Sequence, residues 1–519
     1  MRILPLDGAN TIGGSKILVE DDDFKVMLDF GTNFHELNKY YEEYIKPRST
    51  CGILDFIEMG ILPNVRNLYR DDLLHADVRL TGPVIEGLDA VLISHAHVDH
   101  TGALGFLDCR VPVITTLMSA TIMKAMQDSG VSELGCDGVY ANLRDSRECY
   151  GNVILNARKG TMPGRDFKIA DCRPTKRFEE FWEFYPPTKM SDRAQKSLKP
   201  GELLDDVAAV EYKACPVDHS IKGSCGFILD GTTGRIAYTG DIRMHGIHGK
   251  KTKDFIDEAK SANIHVLIIE GTSIGRAPEE IVSERDVLRY GQQLLSGMER
   301  DLVIADFGPR NIERLEIFLS LAKEFDRKLV ITCKDAYLLH AMHIADESVP
   351  EPGGDILIYN CPRSKYESWE EWTFVERYPD DWVNPSEIRN SQGDFVLAFS
   401  FWDMKNLIDI RPQRGHYIYS SSEAHSEEQE IDFKRLQNWL TRFNIERYGF
   451  DFDRDGKPIF PRGLHASGHA SEEDLRNIIE DIDPEILIPV HTEHSEWFAA
   501  NFGNRIRTII PENMKWIEI

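Results

Sequence analysis

The chain is short of paired cysteines, of long apolar runs and of positive charge. Its nine cysteines (51, 109, 136, 149, 172, 215, 225, 333 and 361) are an odd number, and no two form a C-x-x-C pair. That argues against a disulfide framework and against a cysteine zinc site. It predicts reduced thiols, most of them small core residues, in a cytoplasmic protein. No apolar run approaches the roughly 20 residues that cross a bilayer, so no membrane partner is expected. The start, Met1-Arg2-Ile3-Leu4-Pro5-Leu6-Asp7-Gly8, lacks the apolar stretch of a secretory signal. The formal net charge is −26. A protein that holds a polyanion over its whole surface is basic. Any nucleic acid must therefore be gripped by a local basic strip or by metal ions.

What is present is an ordinary globular composition, 42% hydrophobic and 28% charged. The 519 residues exceed a single core, so two compact units are expected. Ile17-Leu18-Val19 and Val26-Met27-Leu28 flank the acidic turn at residues 20–23 and predict a hairpin that ends in Asp29-Phe30-Gly31. Strand–helix alternation follows from Ala90-Val91-Leu92-Ile93-Ser94, the pattern of layered α/β packing. Residues 135–200 read as an insertion, rich in Arg, Lys and aromatics. Strands resume at 207–210, 226–229, 236–238 and 266–269. A second α/β unit opens with a strand at 302–305, an amphipathic helix from Asn311 to Phe325 and a strand at 328–331. Later strands of its sheet are read at 395–398 and 416–419, and a final apolar strand at 485–490 ends on His491.

The chemistry concentrates in Ser94-His95-Ala96-His97-Val98-Asp99-His100, directly after a buried-type strand. Three imidazoles and a carboxylate in six residues cannot all be buried without a cation to share. Neutral imidazole and carboxylate are the ligands that zinc prefers. Further ligand types stand at strand ends: His219 in Val217-Asp218-His219, Asp241 in Tyr238-Thr239-Gly240-Asp241, and His491 in Pro489-Val490-His491. Taken singly, each is more often a satisfied polar residue. Their case rests on the cluster upstream.

These motifs, in this order, resemble the metallo-β-lactamase superfamily, and Asp29 matches its early aspartate. Glu270-Gly271-Thr272, His465-Ala466-Ser467-Gly468-His469-Ala470-Ser471 and Pro489-Val490-His491-Thr492-Glu493 resemble the branch with an inserted β-CASP domain. The last two motifs are nearest to ribonuclease J and its archaeal relatives. The resemblance implies an αββα sandwich at 1–270 (with the insertion at about 135–200), a β-CASP α/β domain at 271–463, and a return segment at 464–519. It implies a metal-dependent nuclease with two zinc ions, manganese being accepted by the same ligands. One ion would sit on His95, His97 and His219, the other on Asp99, His100 and His491, with Asp241 bridging. Asp99, Glu270 and His469 are then the catalytic residues. Glu270 would keep His469 protonated to stabilise charge or protonate the leaving oxygen. His465, Ser467, Gly468 and His469 would hold substrate phosphate. The implied partner is single-stranded RNA, with single-stranded DNA and a homodimer also compatible.

Three departures from ribonuclease J stand out. Glu-Gly-Thr at 270–272 replaces Asp-Ser-Thr, as in the cleavage-factor and repair-nuclease relatives. The glycine-rich segment that shapes the 5′-phosphate pocket is replaced by Phe399-Ser400-Phe401-Trp402-Asp403, so 5′-monophosphate dependence is not carried over. Only 28 residues follow His491, which leaves no room for the C-terminal domain of the bacterial enzymes. From Arg158 to Lys199 there are 11 Lys or Arg against six Asp or Glu, with Phe178, Phe181, Trp182, Phe184 and Tyr185 among them. Two readings stay open for this segment: a strip that grips a single strand, or a surface flap whose aromatics pack on the body. The alternative function is hydrolysis of a small ester, thioester or lactone on the same metal platform. A scaffold that has lost its metals is a third reading, disfavoured because all seven ligand candidates are present.

Overall fold

The computed structural model describes residues 1–42, 44–130, 134–184, 196–207, 210–275, 282–421 and 427–519. The chain divides into two compact units. The first comprises Met1–Met244, His248–Pro278 and His469–Ile519, and the second His245–Ile247 and Glu279–Gly468. Among the described residues no helix is long and apolar enough to cross a membrane.

The first unit is a sandwich of two sheets. One orders its strands Ile517–Glu518, Arg2–Asp7, Lys16–Glu20, Lys25–Leu28, Ala90–Leu92, Val113–Thr115 and Phe167–Ile169. The hairpin read at its start is there, with Ile17 opposite Leu28. The other orders Tyr212–Pro216, Cys225–Gly231, Gly234–Tyr238, Val266–Glu270, Ile486–Val490 and Arg507–Thr508. Alternation along a strand assigns its two faces. Val266 and Ile268 face the first sheet's Ile17, Val26 and Leu92. Leu267 and Ile269 pack instead under Phe255 and Ile256 of the helix Gly249–Ala262 and Leu475 and Ile479 of Glu472–Ile482. The sheet pair with helices outside is the expected sandwich.

The second unit is a parallel sheet ordered Trp382–Val383, Ile356–Tyr359, Lys328–Ile331, Phe395–Ala398, Leu302–Asp306, Gly415–Tyr419 and Ile445–Tyr448. Helices Ile312–Glu324 and Cys333–Ala345 connect its early strands; the first was read from the sequence, the second was not.

Several expectations need correction. The strand read at 207–210 is not where the sheet begins. Residues 208–209 lie outside the described residues, and the edge strand is Tyr212–Pro216. Only Cys215, Cys225 and Cys333 are buried, while Cys136 and Cys172 are exposed, because most cysteines fall on loops and edges rather than on inward strand positions. The segment at 135–200 is tied into the body. Its strand Phe167–Ile169 pairs in parallel with Val113–Thr115 at the sheet edge. Its helix Lys176–Phe184 buries Phe178, Phe181 and Trp182, and Trp182 donates its indole N–H to Gly201 O at 3.0 Å. Arg165 is buried too, its guanidinium donating to the carbonyls of Gly138, Asp108, Val111, Leu104 and Leu107. Glu179, Glu180 and Glu183 share the helix's exposed face with Lys176. Three of the five aromatics thus pack on the body, as the flap reading has it, while Phe184 is exposed and Tyr185 lies outside the described residues.

Candidate metal centre

The ligand candidates gather because parallel strands end together. Gly234–Tyr238, Val266–Glu270 and Ile486–Val490 run in parallel register, Ile268 beside Tyr238 and Glu270 beside Val490. Asp241, Glu270 and His491 therefore emerge at one edge of the second sheet. In the first sheet Lys25–Leu28 and Ala90–Leu92 are parallel neighbours, which delivers Asp29 beside His95. Cys225 N–H donates to Ser94 O across the two sheets at 3.0 Å. After His95 the chain turns at His97 (φ −73°, ψ 150°) into the single helical turn Val98–Thr101, which carries Asp99 and His100. Gly31 is required beside that turn. A Cβ there would sit 1.6 Å from Asp99 O.

The seven candidates resolve into two groups. His95, His97 and His219 form one, and Asp99, His100, Asp241 and His491 the other, with the offered atoms of each group within 4.8 Å of one another. His97 Nδ1 lies 3.2 Å from His95 Nε2 and 3.1 Å from His219 Nε2. Two nitrogens of a tetrahedral zinc, each about 2.05 Å from the ion, stand about 3.3 Å apart, so this triad suits such an ion. Asp241 Oδ2 is 3.2 Å from His100 Nε2, 3.7 Å from both His95 Nε2 and His219 Nε2, and 3.9 Å from His469 Nδ1. His491 Nε2 stands 4.0 Å from Asp241 Oδ1 and 3.7 Å from Asp99 Oδ2. Three of these buried atoms, His100 Nε2, Asp241 Oδ1 and His491 Nε2, have no hydrogen-bond partner among the described residues. Buried polar atoms are costly unless satisfied, and a cation at their common focus would satisfy all three. The residues fit the metals that the motifs imply.

A second layer orients these side chains. Asp29 accepts from Ser94 N–H (2.7 Å), Ser94 O–H (2.8 Å), Tyr238 O–H (2.6 Å) and His100 Nδ1–H (2.7 Å). Ser94 Oγ lies 3.0 Å from His95 Nδ1. Both His100 and His95 thus turn Nε2 inward. His491 Nδ1 is held by Ser15 Oγ (3.1 Å) and Gly13 N–H (3.3 Å). Behind His219, Arg243 donates to Asp218 at 3.2 Å, both fully buried. The sequence offered Asp29 as a motif, but Ser15, Ser94, Tyr238 and the Asp218–Arg243 pair were missed. Ser94, Tyr238 and the Asp218–Arg243 pair stand within three residues of a ligand candidate in the chain, whereas Ser15 has no such signal.

The electrostatics follow from burial and from the carboxylates. Burial drives the His95 imidazole well below its ordinary range, and neighbouring His100 adds to this against the pull of Asp241. Burial also opposes charge on His100, yet Asp241, Asp99 and Asp29 outweigh it and hold that imidazole well above its ordinary range. Asp241, although buried, is held well below the usual carboxylate range by His100 and His491. Glu270 is likewise lowered against its burial, chiefly by His469.

The catalytic candidates Glu270 and His469 meet. His469 Nδ1 lies 3.0 and 3.1 Å from the two Glu270 oxygens, which also accept Ile242 N–H and Thr272 N–H. His469 stands with His219 and Asp241 in a third group of suitable spacing for a metal. Of the phosphate candidates, His465, Ser467 and Gly468 belong to the second unit. Both His465 nitrogens are engaged by backbone carbonyls, Nδ1 by Ser421 O (2.8 Å) and Nε2 by Gly449 O (2.6 Å). The ring is thereby a tether of this segment. Ser467 is exposed, and its carbonyl oxygen accepts from His245 Nε2 at 3.0 Å.

The chain is similar to known proteins in sequence and in fold. The family model of the Zn-dependent metallo-hydrolase RNA specificity domain matches residues 462–511. Ribonuclease J of Mycoplasma genitalium is 23% identical over 326 residues, 59% of this chain and 50% of that protein. The chain thus matches half the length of that relative. Ribonuclease J of Pyrococcus abyssi is 20% identical over 502 residues, 95% of this chain and 90% of that protein. The crystal structure of a protein of unknown function from Enterococcus faecalis V583 superposes with a TM-score of 0.66 at 22% identity, covering 100% of this chain and 99% of the other. With the two-sheet sandwich, the parallel second unit and the His/Asp cluster in place, the chain is similar in sequence to ribonuclease J over nearly its whole length and carries a match to the Zn-dependent metallo-hydrolase RNA specificity domain near its end.

Proposed function

We propose that this protein is a two-metal phosphodiesterase that hydrolyses nucleic acid, with single-stranded RNA as its substrate. The observation that carries the reading is the position of Asp241 Oδ2, within 4 Å of His95, His100, His219 and His469 at once. A carboxylate so placed can bridge one ion on His95, His97 and His219 to another on Asp99, His100 and His491. Bound there, two zinc or manganese ions supply Lewis-acid activation of water and neutralise phosphoryl charge.

The protein's own groups do the rest. Asp29 fixes the His95 and His100 rings so that ligand nitrogens need not reorganise. Glu270 takes the Nδ1–H of His469, which leaves the other ring nitrogen for a developing oxyanion or leaving oxygen. Asp99 is less buried than Asp241, with a side chain 25% exposed against 2%, so its carboxylate can meet both a ligand and solvent. The match of residues 462–511 to an RNA specificity domain and the printed names of the relatives support RNA over a small ester or thioester.

The test is hydrolysis by purified, metal-loaded protein of 5′-labelled single-stranded RNA, single-stranded DNA and a thioester, with elemental analysis alongside. The reading expects about two ions per chain and cleavage of RNA. Turnover of the thioester alone would move the assignment to the small-ester class. A folded protein that never holds metal would sink both.

A further inference from the structure

A buried lysine stands beside the metal centre, and the metal reading does not use it. Lys16 is fully buried, and its ammonium donates to Asp7 Oδ2 and to Gly14 O, each at 3.0 Å. A buried ammonium is costly unless it is paired and hydrogen-bonded.

Strand register brings the pair together. Pro5 lies opposite Ile17, but the next matched residues are Asp7 and Lys16, which makes Leu6 an extra residue in the ladder. A regular ladder would set Leu6 against Lys16. The bulge sets a carboxylate there instead, and bulges are over-represented where a side chain is re-aimed next to a site. Asp7 Oδ1 in turn accepts Gly8 N–H at 2.9 Å and Asn33 Nδ2–H at 2.8 Å.

The segment held in this way, residues 8–15, grips two of the ligand candidates. Gly8 O accepts the His491 N–H at 2.9 Å, and Gly14 N–H donates to Asp99 O at 3.1 Å. Gly13 N–H and Ser15 Oγ hold the His491 ring at Nδ1. His491 has φ 52°, in the left-handed region, which a histidine keeps only where its surroundings over-determine it. The segment has little slack, since a Cβ on Gly8 would sit 2.8 Å from Ser15 Cα. A shift at Asp7 or Lys16 is therefore passed on to His491.

We propose that the buried Lys16–Asp7 pair positions the metal ligands His491 and Asp99. Lys16 fixes Gly14 O, and Asp7 fixes Gly8 N–H and Asn33, so that the two ligands meet one ion in a set geometry. The hydrogen bonds of the segment run to His491 and Asp99, so the effect falls on the ion of Asp99, His100, Asp241 and His491. Neutral side chains of matching volume would fill the same space with little loss of stability. What they would not do is hold Gly14 O.

The proposal rests on the two-metal reading, and its test keeps the two apart. Lys16→Met/Asp7→Asn removes both charges and keeps both shapes. Zinc affinities of this variant and of wild type are measured by competition with a chromophoric chelator, beside thermal melts of the metal-free proteins. The melts should differ little, while one zinc affinity falls by about 10–100-fold and the other by less than about threefold. Ser15→Ala, which releases the same His491 ring, should weaken the same ion by about tenfold and add little on top of the pair variant, because both act through one ligand. Should the double variant fail to fold, Asp7→Asn alone carries the same comparison. Two unchanged affinities, equal weakening of both ions, or fully additive losses with Ser15→Ala would each overturn the positioning role. Wild-type protein that binds no zinc would instead overturn the two-metal reading, and the proposal with it.

Discussion

Asp29→Asn is the sharpest probe of how the metal centre is built. The substitution keeps shape and suits the backbone, because Asp29 has φ 56° and Asn tolerates the left-handed region well. What changes is chemistry. Asp29 accepts four hydrogen bonds at 2.6–2.8 Å, one on Oδ1 from Ser94 N–H and three on Oδ2 from Ser94, Tyr238 and His100. Whichever way the new amide is turned, its NH₂ faces at least one of these donors. At least one charge-assisted hydrogen bond, each about 1.5–3 kcal/mol, is lost and a donor is left buried. His100 is touched directly, and His95 only through Ser94. The ion on Asp99, His100, Asp241 and His491 should therefore weaken by about 10–100-fold, or about 1.4–2.7 kcal/mol. The ion on His95, His97 and His219 should weaken less. Tyr238→Phe removes one neutral donor of the four and should cost only about 0.5–1.5 kcal/mol. Competition with a chromophoric chelator, which resolves tight and weak sites, measures all of this. Two unchanged affinities in Asp29→Asn would refute the claim that Asp29 orients His100.

Further expectations follow from single features of the structure. His491→Ala should lose metal and activity together, whereas His469→Ala should keep metal and fold while turnover falls by roughly 100-fold; loss of metal in His469→Ala would show that its group with His219 and Asp241 is the true site. Arg173→Ala/Lys176→Ala/Arg177→Ala should leave RNA affinity and its salt slope nearly unchanged, since Phe178, Phe181 and Trp182 beside them are packed inward; a slope flattened by roughly 0.7 per lost contact would restore the strip. Burial pushes the Asp306 carboxyl up to about 7, so the folded form keeps a proton that the unfolded chain releases near pH 4. Stability should then fall as pH rises from about 4 to 7, and Asp306→Asn, which cannot ionise, should gain on the order of 4 kcal/mol over wild type at pH 8 but little at pH 4. Thermal melts at the two pH values decide it, and equal differences would refute it.

Much of the site was legible because its residues cluster in the chain or stand at strand ends. His95 to His100 declare themselves by density alone, since three imidazoles and a carboxylate in one loop have no apolar explanation. Asp241 and His491 follow apolar strands whose ends a parallel sheet must bring together. The hairpin at 16–28 and the strand–helix–strand at 302–331 were legible from period and turn residues. The 158–199 segment was not. A run of Lys and Arg with aromatics has the same composition whether the rings stack on a ligand or pack on the body. Only burial of Phe178, Phe181 and Trp182 separates the two.

The sequence by itself determined the ligand candidates, the expectation of two compact units and the family resemblance, because these depend on residue types and on their order along the chain. Tertiary structure alone decided that Asp241 reaches both groups, that Asp29 serves His100 and His95 together, and that His465 is a tether to Ser421 and Gly449. Those are relations between residues from 16 to 209 positions apart, such as His465 with Gly449 and Asp29 with Tyr238. A hydrogen bond or a shared cation fixes distance and direction to a few tenths of an ångström, and neither quantity is written in composition or period.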